Sequence, residues 1–139
     1  MRLAVAVLCD SANVRGGTLG VLGAGVNTLW RQEYPAPMLS TLALLIEVPA
    51  QEAARTYPVA VRMDRAGEGQ ESDPIASAEG EFTVESPMDR AAFVPMPIDF
   101  SGLELPDRGE YSIRVQIDGV EHTSITFYAE VGSPTGPMP

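Results

Sequence analysis

Asp107-Arg108-Gly109-Glu110-Tyr111-Ser112-Ile113-Arg114-Val115-Gln116-Ile117-Asp118-Gly119 is the stretch whose reading decides the fold. Tyr111, Ile113, Val115 and Ile117 alternate with Ser112, Arg114, Gln116 and Asp118, the period-two pattern of a strand with one buried face. Asp118-Gly119 closes the run, because both residue types tolerate the positive φ of a two-residue hairpin turn. A returning strand over about 120–131 is then expected to point Ile125, Phe127, Ala129 and Val131 inward.

The same alternation spreads outward along the chain, and no long apolar stripe of helical period interrupts it. Residues 75–85 place Ala76, Ala78, Gly80, Phe82 and Val84 on one face, and Val59, Val61 and Met63 alternate just before them. The loop 66–74 joins these two as a hairpin. Symmetry about Gln70–Glu71 sets Arg62 near Glu79, a cross-strand pair of about 0.2–1 kcal/mol. Leu3, Val5, Val7 and Cys9 alternate as a buried strand, in preference to a short export leader. Segment 38–48 is almost continuously apolar, as a central strand covered on both faces would be; a short buried helix is the competing reading. Pro95 and Pro97 withhold two ladder donors from segment 92–100 and make it an edge strand. Residues 18–30 read as two strands broken by glycine, and Pro49–Arg55 offers the one helical turn. The expected architecture is all-β: a single two-sheet sandwich of eight or nine strands over 1–131, followed by a mobile, pattern-free tail over 132–139.

Thirteen glycines and twelve prolines in 139 residues fit a chain made mostly of short strands and turns. Nine arginines stand against nineteen carboxylates with no lysine, a formal charge of −10. That balance argues against nucleic acid, whose phosphates need clustered cations, and against an anionic membrane surface. It also closes two chemistries that require lysine, the phosphate loop ending in Gly-Lys and Schiff-base catalysis. Cys9 is the sole cysteine, so no internal disulfide forms; with no export signal read at the start, a cytoplasmic location is expected.

Two resemblances follow from these residues. The order Asp107-Arg108-Gly109-Glu110-Tyr111 resembles the entry to the penultimate strand of immunoglobulin-like domains, where a tyrosine hydroxyl bonds back to the backbone at a corner. Ile113 stands where that fold usually has a cysteine, so the resemblance is to its disulfide-free members. Over about 3–131 the chain is similar to a family of short bacterial proteins of unknown function. The similarity is carried by Leu8-Cys9-Asp10-Ser11-Ala12, by Gly17-Thr18-Leu19 through Leu22-Gly23-Ala24-Gly25, and by Gly109-Glu110-Tyr111 with Val115. It implies a soluble all-β domain and carries no activity or site residue.

Candidate chemistry is thin. Gly20 to Gly25 is glycine-rich, but the β-branched run that follows is no helix to receive a phosphate. His122 is alone and falls on a polar strand face, without partners for a metal or a triad. Asp10, Ser11 and Asn13 suit a side-chain-stabilised turn. Asp64, Glu68, Glu71 and Asp73 form a weak calcium candidate at one end of the sandwich; calcium wants six to eight oxygens, usually from more than one loop. Residues 30–38 are the most suggestive, since Trp30, Arg31, Tyr34 and Met38 are types enriched at interface centres and Pro35 stiffens their loop. Completion of the core by Trp30 and Met38 is an equal reading of the same residues. The expectation is a non-catalytic interaction or structural module without cofactor, contacting a protein partner or a second copy through 30–38. Ligand or carbohydrate binding near Trp30 and calcium binding through 64–73 are the alternatives. No nucleophile–base pair suggests a hydrolase.

Overall fold

The computed structural model describes residues 1–67, 73–84 and 89–133. Within these, twelve strands run in chain order: β1 (Arg2–Cys9), β2 (Ser11–Arg15), β3 (Thr18–Leu22), β4 (Thr28–Arg31), β5 (Ala36–Pro37), β6 (Thr41–Val48), β7 (Arg55–Arg65), β8 (Ala76–Val84), β9 (Ala92–Asp99), β10 (Glu104–Leu105), β11 (Gly109–Ile117) and β12 (Val120–Val131). A single 3-10 turn, Ala50–Glu52, falls inside the stretch 49–55 where the sequence placed its helical turn. Against the eight or nine strands expected, those that the alternation does not mark are β2, β5 and β10. The last two are only two residues long, too short for any periodicity to mark them.

One layer has the order β1-β6-β9 and the other β4-β12-β11-β7-β8, with β2-β3 and β5-β10 as small separate pairs. β11 and β12 meet through Asp118 and Gly119, whose φ values of 54° and 79° are those of the mirror-image hairpin turn that Asp-Gly favours. Central β11 lies between β12 and β7 and buries Tyr111, Ile113, Val115 and Ile117. These face Leu42, Leu44, Ile46 and Val48 of β6, so 38–48 contributes a central strand and not a helix. Full burial stabilises each such side chain by about 1.5–3 kcal/mol. The Tyr111 and Phe127 rings stack at 5.3 Å. The Tyr111 hydroxyl donates to the Asp107 carbonyl at 2.6 Å, the corner bond that the Asp-x-Gly-x-Tyr order implied. β9 is an edge, and Pro95 and Pro97 lie opposite Leu45 and Ala43.

Three details of register differ from expectation. The pairing of β1 with β6 shifts between Leu3 and Val5, so Ala4 is an extra residue. A slip of one residue reverses every side chain beyond it. Leu3, Ala6 and Leu8 therefore pack on the core, while Val5, Val7 and Cys9 turn to the outer face. In β12 a second irregularity falls opposite Val115/Gln116, before the inward row; Phe127 and Ala129 are buried as expected, but Val131, the last residue of the strand, is exposed against its expected inward orientation. Arg62 stands opposite Ser77, and Glu79 opposite Ala60: the hairpin pairs two residues away from the symmetric register, which preserves faces but changes partners.

Candidate functional site

The loop 31–38 is closed by its own cation. From the end of β4 the Arg31 guanidinium donates through Nε to the Pro37 carbonyl at 3.0 Å, through Nη1 to Trp30 at 2.8 Å and through Nη2 to Met38 at 2.7 Å. Five fixed donors in a planar fork make arginine suited to gathering diverging carbonyls. Tyr34 stands half-buried beneath the loop, before a cis peptide to Pro35, and its hydroxyl donates to the Glu130 carbonyl at 2.9 Å. Burial pushes its phenol above the ordinary tyrosine range, against the pull of nearby Arg31. Met38 then enters the core with no exposed surface, and its amide donates to Leu103 beside the β5–β10 pair.

Of the five residues proposed as a contact surface, Met38 is thereby removed: it is core, the alternative that the sequence left open. Arg31 is committed to its own loop, and Tyr34 to the β12 backbone. Trp30 and Pro35 keep accessible surface, Trp30 half-buried on the side of β4 opposite buried Leu29. Among the described residues, Trp30 lines neither the cleft over Ala60 and Arg114 nor the one beside the β2-β3 hairpin.

The carboxylates of the calcium candidate do not gather on one loop. Asp64 lies within β7, 3% exposed, and accepts from Arg62 Nε at 3.0 and 2.9 Å and from Arg114 Nη2 at 2.8 Å. Burial alone would raise its pKa, but hydrogen bonds and charge from the two arginines hold the carboxyl below the usual range. An Asp64 so engaged is neutralised by arginine and is not a free calcium ligand. Asp73 is exposed, and Glu68 and Glu71 lie outside the described residues. Sequence reasoning missed this network. Its signal was Arg62-x-Asp64, two residues on one strand face, but the demand for a carboxylate arises only because β11 sets Arg114 directly opposite Arg62.

Cys9 is fully buried, its thiol donating to the Thr41 carbonyl at 3.3 Å. Burial first, then the charge of Asp10, pushes that thiol upward, away from the thiolate a nucleophile needs. Asp10 also explains one glycine. Gly23 has φ 67°, and a Cβ there would collide with the Asp10 carboxylate, while the Asp10 amide donates to Leu22 at 3.0 Å. Strand, glycine and strand succeed one another here, with no helix for a phosphate. His122, half-buried, lines a cleft beside the Arg55–Asp118 ion pair of 2.9 Å.

Two layers, a stitched loop and a buried ion network define an all-β sandwich-like domain. The chain belongs to a family of unknown function, DUF6941, whose family model matches residues 4–130. No curated protein and no solved structure matches it. Among the described residues no helix is long and apolar enough to cross a membrane.

Proposed function

We propose that this domain is a non-catalytic interaction module of immunoglobulin-like form that pairs with a second copy of itself. The observation that carries the reading is the outer face of the β1-β6-β9 layer. There Phe93 is 52% exposed beside Val5, Leu45 and Pro95, which share its side of the sheet. The β2-β3 hairpin packs against β6 and β9 and covers the far end of this face, where Ala43 and Cys9 are buried. The near end is open, and hairpin residue Val14 adds further apolar surface at 45% exposure. An apolar patch rimmed by charge is the usual mark of a protein contact. The rim here is the Arg2–Glu47 ion pair, and two copies related by a two-fold axis could exchange those partners.

Two features support the immunoglobulin-like form: the hydroxyl-to-backbone bond of Tyr111, and a parallel β4 that crosses to pair with the last strand. The buried, reduced Cys9 suits a cytoplasmic location. Light scattering during size-exclusion chromatography tests the pairing. The native chain is expected to run as a dimer at high micromolar concentration and Phe93→Glu as a monomer with an unchanged melting temperature. A native chain that stays monomeric overturns the reading.

A further inference from the structure

A second surface, on the opposite layer, has the form of a ligand trough. β11, β7 and β8 lie side by side, so their outward residues form rows: Arg114, Arg62 and Ser77 in one, Gln116, Ala60 and Glu79 in the next. Ala60, on the middle strand, is the shortest side chain among long neighbours, and it becomes a floor. Two clefts of about 350 and 300 Å³ share Ala60, Glu79 and Gln116, the first reaching Arg62 and Arg114 and the second reaching Pro58 and Gly80. Together they follow β7 from Pro58 to Arg62, about 13 Å at the rise of a strand, the length of about four extended residues.

The trough has a polarity. At one end Asp64 fixes the Arg114 guanidinium by a single bond to Nη2. The Arg114 side chain is 19% exposed, and its Nε and Nη1 have no protein acceptor among the described residues. A largely desolvated guanidinium, pre-aligned by a buried carboxylate and with donors left on Nε and Nη1, can receive a second carboxylate. Gln116 adds an amide beside it, and the wall across Ala60 carries the Glu79 carboxylate, suited to a cation. The chain as a whole carries −10, a field that opposes free anions but not a ligand of zero net charge.

We infer that this trough binds a short zwitterionic peptide or amino acid, its α-carboxylate on Arg114 and Gln116 and its cationic group toward Glu79. The site does not depend on self-association, since Phe93 lies on the other layer.

Titration of isotopically labelled protein with tri-alanine, followed through the backbone amides of residues 58–62 and 114–116, tests it. Saturable shifts at those amides are expected at millimolar peptide. The C-terminal amide of tri-alanine should bind about tenfold more weakly or worse, as loss of a charge-assisted contact requires. Free alanine distinguishes the sources: affinity equal to the peptide's assigns the site to amino acids, and weaker affinity assigns it to peptide termini. Ala60→Leu fills the floor without touching the arginines, and should abolish the shifts while the melting temperature holds. Absence of shifts with tri-alanine, equal binding of its amide, or unimpaired binding by Ala60→Leu each overturns the inference.

Discussion

Arg31 and Asp64 each anchor a polar cluster of this sandwich, and the two are built in opposite ways. Around Arg31 one cation serves three backbone carbonyls, none more than seven residues away in the chain. Around Asp64 one carboxylate serves two cations, and Arg114 is fifty residues distant. The first is a local closure on the surface, where water can replace what is lost. The second lies beneath the outer face of a sheet, where an arginine stripped of its partner has an incompletely solvated charge. The difference teaches that the energetic weight of a polar cluster follows its burial, not the number of its hydrogen bonds.

That comparison can be broken by substitution. Asp64→Ala should have the largest effect, about 3 kcal/mol of destabilisation by chemical unfolding, because it removes the buried carboxylate that Arg114 and Arg62 share. The same carboxylate sets an acid limit. Its folded pKa is depressed, so the stability it adds is complete above the unfolded aspartate pKa of about 3.9 and is lost as pH falls through the folded value. A melting curve of the native chain should therefore decline below about pH 4 more steeply than that of Asp64→Asn. Should both decline in parallel, the network contributes nothing.

Arg31→Ala should cost less, about 2 kcal/mol, and Arg31→Lys nearly as much, since an ammonium cannot span three diverging carbonyls. If Arg31→Ala proves costlier than Asp64→Ala, the argument from burial fails. Tyr111→Phe tests the corner between these regions and should cost about 1 kcal/mol, because the freed Asp107 carbonyl sits at an exposed residue and can take water. Leu39→Gly should act in the other direction and by the least. Leu39 has φ 55° and is 57% exposed, so glycine relieves backbone strain and forfeits little packing. A gain of about 0.5–1 kcal/mol, near 2–3 °C in melting temperature, is expected.

Strands longer than four residues were legible in the sequence almost throughout, because one-sided burial imprints a period of two. β11 and β12, β7 and β8, the edge β9 and the central β6 all fall where alternation, Asp-Gly or proline put them. The candidate surface at 30–38 was legible only as composition. Tryptophan, tyrosine, arginine and methionine in one loop describe an interface and a self-closed loop equally well, and the arrangement of the Arg31 fork is absent from any residue count. The Asp64 network was not legible, since charged residues on an outer strand face read as solvated.

Local rules of backbone and side chain therefore determined, from the sequence alone, that this chain is all-β, where its turns fall and which strand opens on a tyrosine bonded back to the backbone. Each depends on residues within a few positions of one another. Tertiary structure decided the rest: which face Val5 and Val7 occupy once Ala4 is counted out of register, which carboxylate meets Arg114, and where an alanine among longer neighbours leaves a trough. Those outcomes depend on pairing between distant strands, and a shift of one or two residues, invisible in either strand by itself, changes every partner.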